Sequence, residues 1–282
     1  MQAHALTPRL ASALSAYRTP SSSPRQAVPH DRTPACAPNF PFLSVLASGG
    51  HTLLVHSASL DEHRVLGTTQ DIAIGECLDK IARVALPAEL LQTTKSTMYG
   101  ALLESFVFPS HQSPDDTDEI VHKGSKHGQS VPLSCTTFCT AGTYVQEHAS
   151  NYDWSFLNHE EAMEKNATDW GWTINQPLTT SGGGNKINSL EMSFSGLLTG
   201  VERIVQYGAD PVIKKRNKSE RAPTEISLRE RQDIAREAMR AAFEHVASRI
   251  VLGLQSLETI AAVQPAVVIA GGVAANSFFR HM

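Results

Sequence analysis

The sequence contains no run of 18 apolar residues, which excludes a membrane-spanning helix built on a continuous hydrophobic segment. Cysteine is scarce: Cys36, Cys77, Cys135 and Cys139 are the only four in 282 residues. The one close pair, Cys135 and Cys139, has three residues between its members. No second Cys/His pair at finger spacing follows it, so a zinc knuckle is not the reading. Unpaired thiols in a reducing compartment are expected instead. An excess of either charge is also lacking. Lys plus Arg number 24 and Asp plus Glu 28, giving a net charge of −4. That balance argues against a histone-like or polybasic binder and leaves room only for a local basic patch. No nucleophilic Ser/His/Asp set stands out. What is present is 41% hydrophobic and 18% charged residues, the composition of a globular chain. At roughly 150 residues per domain, the length suits about two domains or one large one. A chain of this size buries enough surface to fold without disulfides.

Residues 1–40 differ from the rest. They hold Arg9, Arg18, Arg25 and Arg32, one acid (Asp31), five serines and six prolines. An Arg- and Ser-rich, acid-poor start is the composition of an organelle transit segment. From Phe42 the pattern changes. Phe42–Ala47 and Thr52–Ser57 are short apolar runs separated by a Gly-Gly turn, which predicts a β-hairpin. Residues 71–86 place Ile74, Leu78, Ile81, Ala82 and Ala85 at helical spacing. From about 87 to 176 the chain reads as an irregular insertion of long loops and a few helical turns, with acids at Asp115, Asp116, Asp118 and Glu119. Gly182-Gly-Gly184 marks another loop. A long helix is expected over 228–257. Ser227 and Glu230 form a capping-box pattern, and Ile234, Ala238, Ala241, Ala242, His245, Val246 and Arg249 recur at helical period. Ala266–Ala270 is β-branched and shows no alternation, which predicts a strand in parallel pairing with both faces buried. A helix should open at Val273-Ala-Ala-Asn276.

Three segments carry chemistry. Ser48-Gly49-Gly50-His51-Thr52 is a turn whose glycines let backbone N–H groups approach an anion, with two hydroxyls beside them. Many hairpins use Gly-Gly for turn geometry alone. Ala270-Gly271-Gly272-Val-Ala-Ala-Asn276 carries a strand through two glycines into a helix N-terminus. Ligand approach and close strand–helix packing both explain it. In Gly75-Glu76-Cys77-Leu78-Asp79-Lys80, Glu76 shares a helix face with Asp79 and Lys80. That face suits either hydroxyl binding or plain solvation. The basic run Lys214-Lys215-Arg216-Asn-Lys218-Ser-Glu-Arg221 suits phosphate contact or a solvated loop.

Taken in order, these motifs, with Ser193-Phe194-Ser195-Gly196-Leu197 between the last two, resemble the tRNA N6-adenosine threonylcarbamoyltransferase family, once described as glycoproteases. Met98-Tyr-Gly-Ala-Leu-Leu-Glu104 followed by Phe106-Val-Phe-Pro109 resembles its fungal mitochondrial branch. The resemblance runs from about residue 41 to 282 and is patchy over 110–170. It implies an α/β protein of actin/hexokinase-like fold, in which 41–282 supply most of the second lobe and 1–40 a poorly ordered remnant of the first. Residues 1–10 resemble the stretch after the first His of the family's His-x-x-x-His metal motif. His4 then matches the second His, and the other two metal ligands fall outside the sequence. A chain truncated at both ends is therefore expected in preference to a transit segment. The family's single divalent metal, Fe or Zn, is doubtful here for the same reason.

The implied reaction moves a threonylcarbamoyl group from threonylcarbamoyl-adenylate, made by a separate synthase, to the exocyclic amine of the adenine next to the tRNA anticodon. Leu46, Ala47, Ser48, Gly49 and Gly50 would hold the adenylate or its phosphate. Asp79 would bind the sugar and Asn276 the adenosine, with Gly100 at the family's Pro-Gly-Gly position. The resemblance also implies tRNA as partner, a homodimer, a mitochondrial location and no membrane association. A non-catalytic remnant that binds nucleotide or a partner subunit is the alternative.

Overall fold

A computed structural model describes residues 6–12, 14, 37–95, 97–109, 140–149, 159–178, 187–258 and 266–282. His4, Cys36, Cys135, Cys139, the acids at 115–119 and the 182–184 glycines lie outside the described residues.

A four-stranded mixed sheet organises the fold. Its strands are β1 (Phe42–Ala47), β2 (Thr52–Ser57), β3 (His63–Thr68) and the late β6 (Ala266–Ala270), in the order β3-β2-β1-β6. β1 and β2 form the expected hairpin, pairing antiparallel from Phe42 opposite Ser57 to Ala47 opposite Thr52. β6 runs parallel to β1, Phe42 opposite Ala266. The parallel pairing agrees with the sequence reading, but the two-faced burial does not. β6 is an edge strand with Val267 and Ile269 each 37% exposed. Continuous apolar runs signal central parallel strands, yet among the described residues no strand pairs with the outer edge of β6.

Helix α1 (Ile74–Ala85) buries Ile74, Leu78, Ile81, Ala82 and Ala85, the stripe that the spacing predicts. The region expected to be irregular carries four helices among its described residues: α2 (Ala88–Thr93), α3 (Tyr99–Val107), α4 (Ala141–Glu147) and α5 (His159–Lys165). α6 (Ser195–Tyr207) follows, then a two-residue-stranded hairpin of β4 (Ala209–Asp210) and β5 (Lys215–Arg216). The long helix α7 (Leu228–Glu258) lies across the sheet. A side chain at Gly253 would meet Leu54 and Leu43 of the central strands at 3.0 and 3.3 Å. Only half of its expected capping box forms. Ser227 Oγ accepts the Glu230 N–H at 3.1 Å, while the Glu230 carboxylate instead takes the Trp172 indole and Arg221. The chain ends in a 3-10 turn (Gly272–Ala275) and α8 (Ser277–His281), so the last helix opens at Ser277 and not at Val273. Asn276 is its cap, accepting the Phe279 N–H at 3.1 Å. No helix among the described residues is long and apolar enough to cross a membrane.

Candidate functional site

The hairpin turn sits on the N-terminus of α1, and glycine makes the stacking possible. A Cβ at Gly75 would stand 2.7 Å from the Gly49 nitrogen and 2.8 Å from Ser48 C. With only hydrogen there, the Gly75 N–H reaches Ser48 O at 3.1 Å. Ala73 has no side chain with which to cap the helix. Thr52, fully buried on β2, does so by accepting the Ile74 N–H at 2.8 Å. Its hydroxyl is thus part of the frame and not a group facing a ligand. Ser48 closes the turn on itself, its Oγ accepting the His51 N–H at 3.0 Å.

The second glycine motif packs beside the first. Gly271 has φ +103°, and a Cβ there would lie 2.3 Å from Ala47 O. Left-handed backbone and contact both require glycine at that position. Gly49, Gly50 and Gly272 are different. None has a φ in the left-handed range, and a Cβ at any of them would meet nothing within 4 Å. Neither conformation nor packing within the chain calls for glycine at these three. They bound open space at the ends of β1 and β6, over a helix N-terminus whose dipole favours an anion. Among the described residues no hydrogen bond is recorded from the Gly49 or Gly50 N–H.

The other expected site residues are placed as follows. Leu46 is half-buried and Ala47 fully buried at the end of β1. Asp79 and Gly100 meet: Asp79 Oδ1 accepts the Gly100 N–H at 2.6 Å in the first turn of α3. That N–H is therefore occupied within the chain, and one Asp79 oxygen is engaged. Asn276 is 7% exposed, its amide oxygen capping α8 and its nitrogen 3.8 Å from Met239 Sδ. Glu76 pairs with Lys80 at 2.8 Å on the helix surface. In the basic run, Arg221 turns inward, donating to Ile204 O, Val205 O and Glu230, while Lys214, Lys215 and Arg216 stay exposed.

Two acids that the sequence reading passed over organise this region. Asp71 accepts four hydrogen bonds, from the Ser193 and Ser195 hydroxyls (2.6 Å each) and the Phe194 and Ser195 N–H groups (2.9 and 3.2 Å). Burial opposes its ionisation, but these bonds outweigh burial and bring the carboxyl down to about 2. It ties the start of α1 to the start of α6. Glu104 on α3 accepts the Ser277 N–H at 2.6 Å directly after Asn276, and burial raises its pKa. Behind Ser193 lies His245, fully buried, its Nε2 accepting the Ser193 N–H at 3.2 Å. Burial, reinforced by the Arg249 charge, lowers its pKa to about 3, so the imidazole is neutral. The Asp71 signal lies in serines flanking Phe194, but the bond spans 122 residues and no local pattern announces it.

Among the described residues no group of three or more His, Cys, Asp or Glu gathers as a metal would need. His4, the one residue that the resemblance assigns to the metal, lies outside the described residues.

An α/β protein with a mixed sheet and a glycine turn stacked on a helix N-terminus is the class that this geometry defines. Residues 27–121 match the tRNA N6-adenosine threonylcarbamoyltransferase family. A Schizosaccharomyces pombe protein named tRNA N6-adenosine threonylcarbamoyltransferase, mitochondrial, is 27% identical over 245 residues, covering 86% of this chain and 40% of that protein. Proteins named tRNA N6-adenosine threonylcarbamoyltransferase from Mesoplasma florum and Microcystis aeruginosa are 32% identical over 124 residues and 54% over 44. They are covered over 38% and 13% of their lengths. Over these segments the chain is similar to proteins of that name. It spans about 40% of the length of the Schizosaccharomyces pombe relative.

Proposed function

We propose that the glycine-bounded space over α1 holds the phosphate of threonylcarbamoyl-adenylate, and that the chain serves transfer of the threonylcarbamoyl group to an adenine of tRNA. One observation carries the reading: Gly49, Gly50 and Gly272 border open space that nothing in the fold requires to be open. In this role the Gly49 and Gly50 N–H groups donate to the phosphate. The α1 dipole stabilises the negative charge that AMP carries away as leaving group. Ser48 and Thr52 hold the turn in shape, so the donors meet the phosphate with no reorganisation. The second Asp79 oxygen is the candidate acceptor for a ribose hydroxyl, with Asp79 Oδ1 fixed by Gly100. Asn276 contributes by capping α8 and, through its NH2 group beside Met239, offers a contact to adenosine. No step is routed through a metal.

In the same reading the described sheet is part of the second lobe of an actin/hexokinase-like fold, with residues 41–282 as its domain. The protein works in mitochondria, as the name of the Schizosaccharomyces pombe relative suggests, and as a homodimer. The alternative is a non-catalytic chain that binds nucleotide or a partner subunit. The test is calorimetric titration of the chain with threonylcarbamoyl-adenylate, followed by a transfer assay on tRNA. Binding that Gly49→Val abolishes supports the site. Binding without transfer selects the non-catalytic role. No binding to the folded chain rejects the site.

A further inference from the structure

A cavity of about 490 Å³ adjoins the Asp71 knot. It shares Ser193 with that knot and includes none of the glycine-turn residues. Its floor is apolar: Trp172, Ile174 and Leu197 are each about 5% exposed or less, and Ile204 lies beside them. Its rim carries three cations from two separate elements, Arg203 on α6 and Lys214 and Arg216 on the β4–β5 hairpin. Among the described residues none of the three has a recorded ion pair. Arg216 lies over the Tyr207 ring at 5.3 Å. The hairpin is built to hold Lys214 there. Asp210 Oδ1 accepts the Val212 and Ile213 N–H groups at 2.8 and 3.0 Å, and Lys214 takes a φ of +50°. That backbone is uncommon outside glycine.

Two further features point to a ligand. Gly196 and Gly200, one helical turn apart on α6, line the cavity, and a Cβ at either would meet nothing within 4 Å. The Thr173 hydroxyl and the Asn175 amide both donate to Met163 Sδ, at 3.2 and 3.3 Å. A thioether is a weak acceptor. Met163 is a flexible, 36% exposed side chain at the same cavity. A ligand that displaced it would offer both donors stronger acceptors. The volume falls within the range for small-molecule sites, roughly 300–1,000 Å³.

We propose that this cavity is a second site, separate from the glycine turn, that takes one nucleoside phosphate. The base and sugar would lie over Trp172 and Leu197, with acceptors toward Thr173 and Asn175 and the phosphate among Arg203, Lys214 and Arg216. The ligand arrives either as a free mononucleotide or as one nucleotide of a single strand. The shared chemistry is the same, and the cavity proposal does not depend on the glycine-turn reading.

Equilibrium dialysis of the whole chain with AMP tests it by stoichiometry. Two AMP per chain are expected. R203E/K214E/R216E, all at exposed positions, and separately Gly196→Leu, which fills the cavity with a better helix former, should each weaken one of the two at least tenfold. Gly49→Val should remove the other. One AMP per chain that the charge reversal and Gly196→Leu leave untouched overturns the second site while leaving the proposed function standing. Loss on the charge reversal with no effect of Gly49→Val supports the second site and rejects the glycine-turn reading. No AMP bound by the wild-type chain overturns it. In a parallel arm, an octauridylate that displaces AMP from the Gly49→Val chain identifies the strand as the source. Failure to displace identifies the free mononucleotide.

Discussion

The hairpin turn at Ser48–Gly50 and the long helix α7 use polar chemistry in opposite ways. In the middle of α7, buried polar side chains tie the helix to its neighbours. Arg240, 5% exposed, donates to Glu237 and Glu244 at 2.6 Å each and to Ile174 O at 2.7 Å. His245 is buried to hold the Ser193 N–H, and Arg249 is buried to hold Ile187 O and Ser189 O. At the turn, Gly49 and Gly50 are exposed, and a Cβ at either would meet nothing within 4 Å. Residue types that folding requires are thus concentrated in the helix, and residue types that folding does not require are concentrated at the turn. Function is to be sought where the fold gives no reason for the sequence.

Substitutions ranked by size can break that contrast. Arg240→Ala strands Glu244 in the core without its partner, and loss of about 3–5 kcal/mol is expected in urea unfolding. Gly75→Ala forces a Cβ against the Ser48–Gly49 backbone. A loss of about 1–3 kcal/mol is expected, together with displacement of the turn and weaker adenylate binding. Asp71→Ala removes the cap of α6, with an expected loss of about 1–2 kcal/mol by thermal melting at neutral pH.

His245 on α7 and Asp71 just before α1 separate by pH. The His245 pKa is lowered in the folded chain to about 3, against 6.5 as reference. Between those values the unfolded chain binds a proton that the folded chain refuses, so stability falls as pH drops through the window. Asp71, lowered to about 2 from 3.8, contributes stability above 3.8 that is lost as pH falls toward 2. His245→Gln keeps an acceptor for Ser193 and should flatten only the upper slope in melts taken from pH 7 to 3. An unchanged upper slope would remove His245 from the account.

Much of this fold was legible because local periodicity matched tertiary burial. The Ile74, Leu78, Ile81 stripe and the α7 series both lie in the core as the spacing indicates. β3 was not legible. His-Arg-Val-Leu-Gly-Thr has little apolar alternation, and β3 pairs with β2 across an irregular register at Leu54/Val55. β6 misled because a β-branched run looks the same at a sheet edge as at its centre. At the site, the two glycine motifs were visible as sequence, but their division of labour was not. Gly75 and Gly271 are there for packing, while Gly49, Gly50 and Gly272 face open space, and only the backbone's neighbours distinguish them. The Asp71 cap and the Glu104 bond to Ser277 link residues 122 and 173 apart, beyond any local pattern.

The smallest expected effect on stability is also the most direct test. Gly49→Ala should change unfolding free energy by no more than about 1 kcal/mol, since the new methyl meets nothing and the unfolded chain loses freedom. The same sample should bind threonylcarbamoyl-adenylate at least tenfold more weakly by calorimetry, because the methyl occupies the space that the phosphate needs. Weaker binding at unchanged stability is the result the account predicts. Binding equal to that of the unsubstituted chain, or a loss of stability that by itself explains the weaker binding, would contradict it.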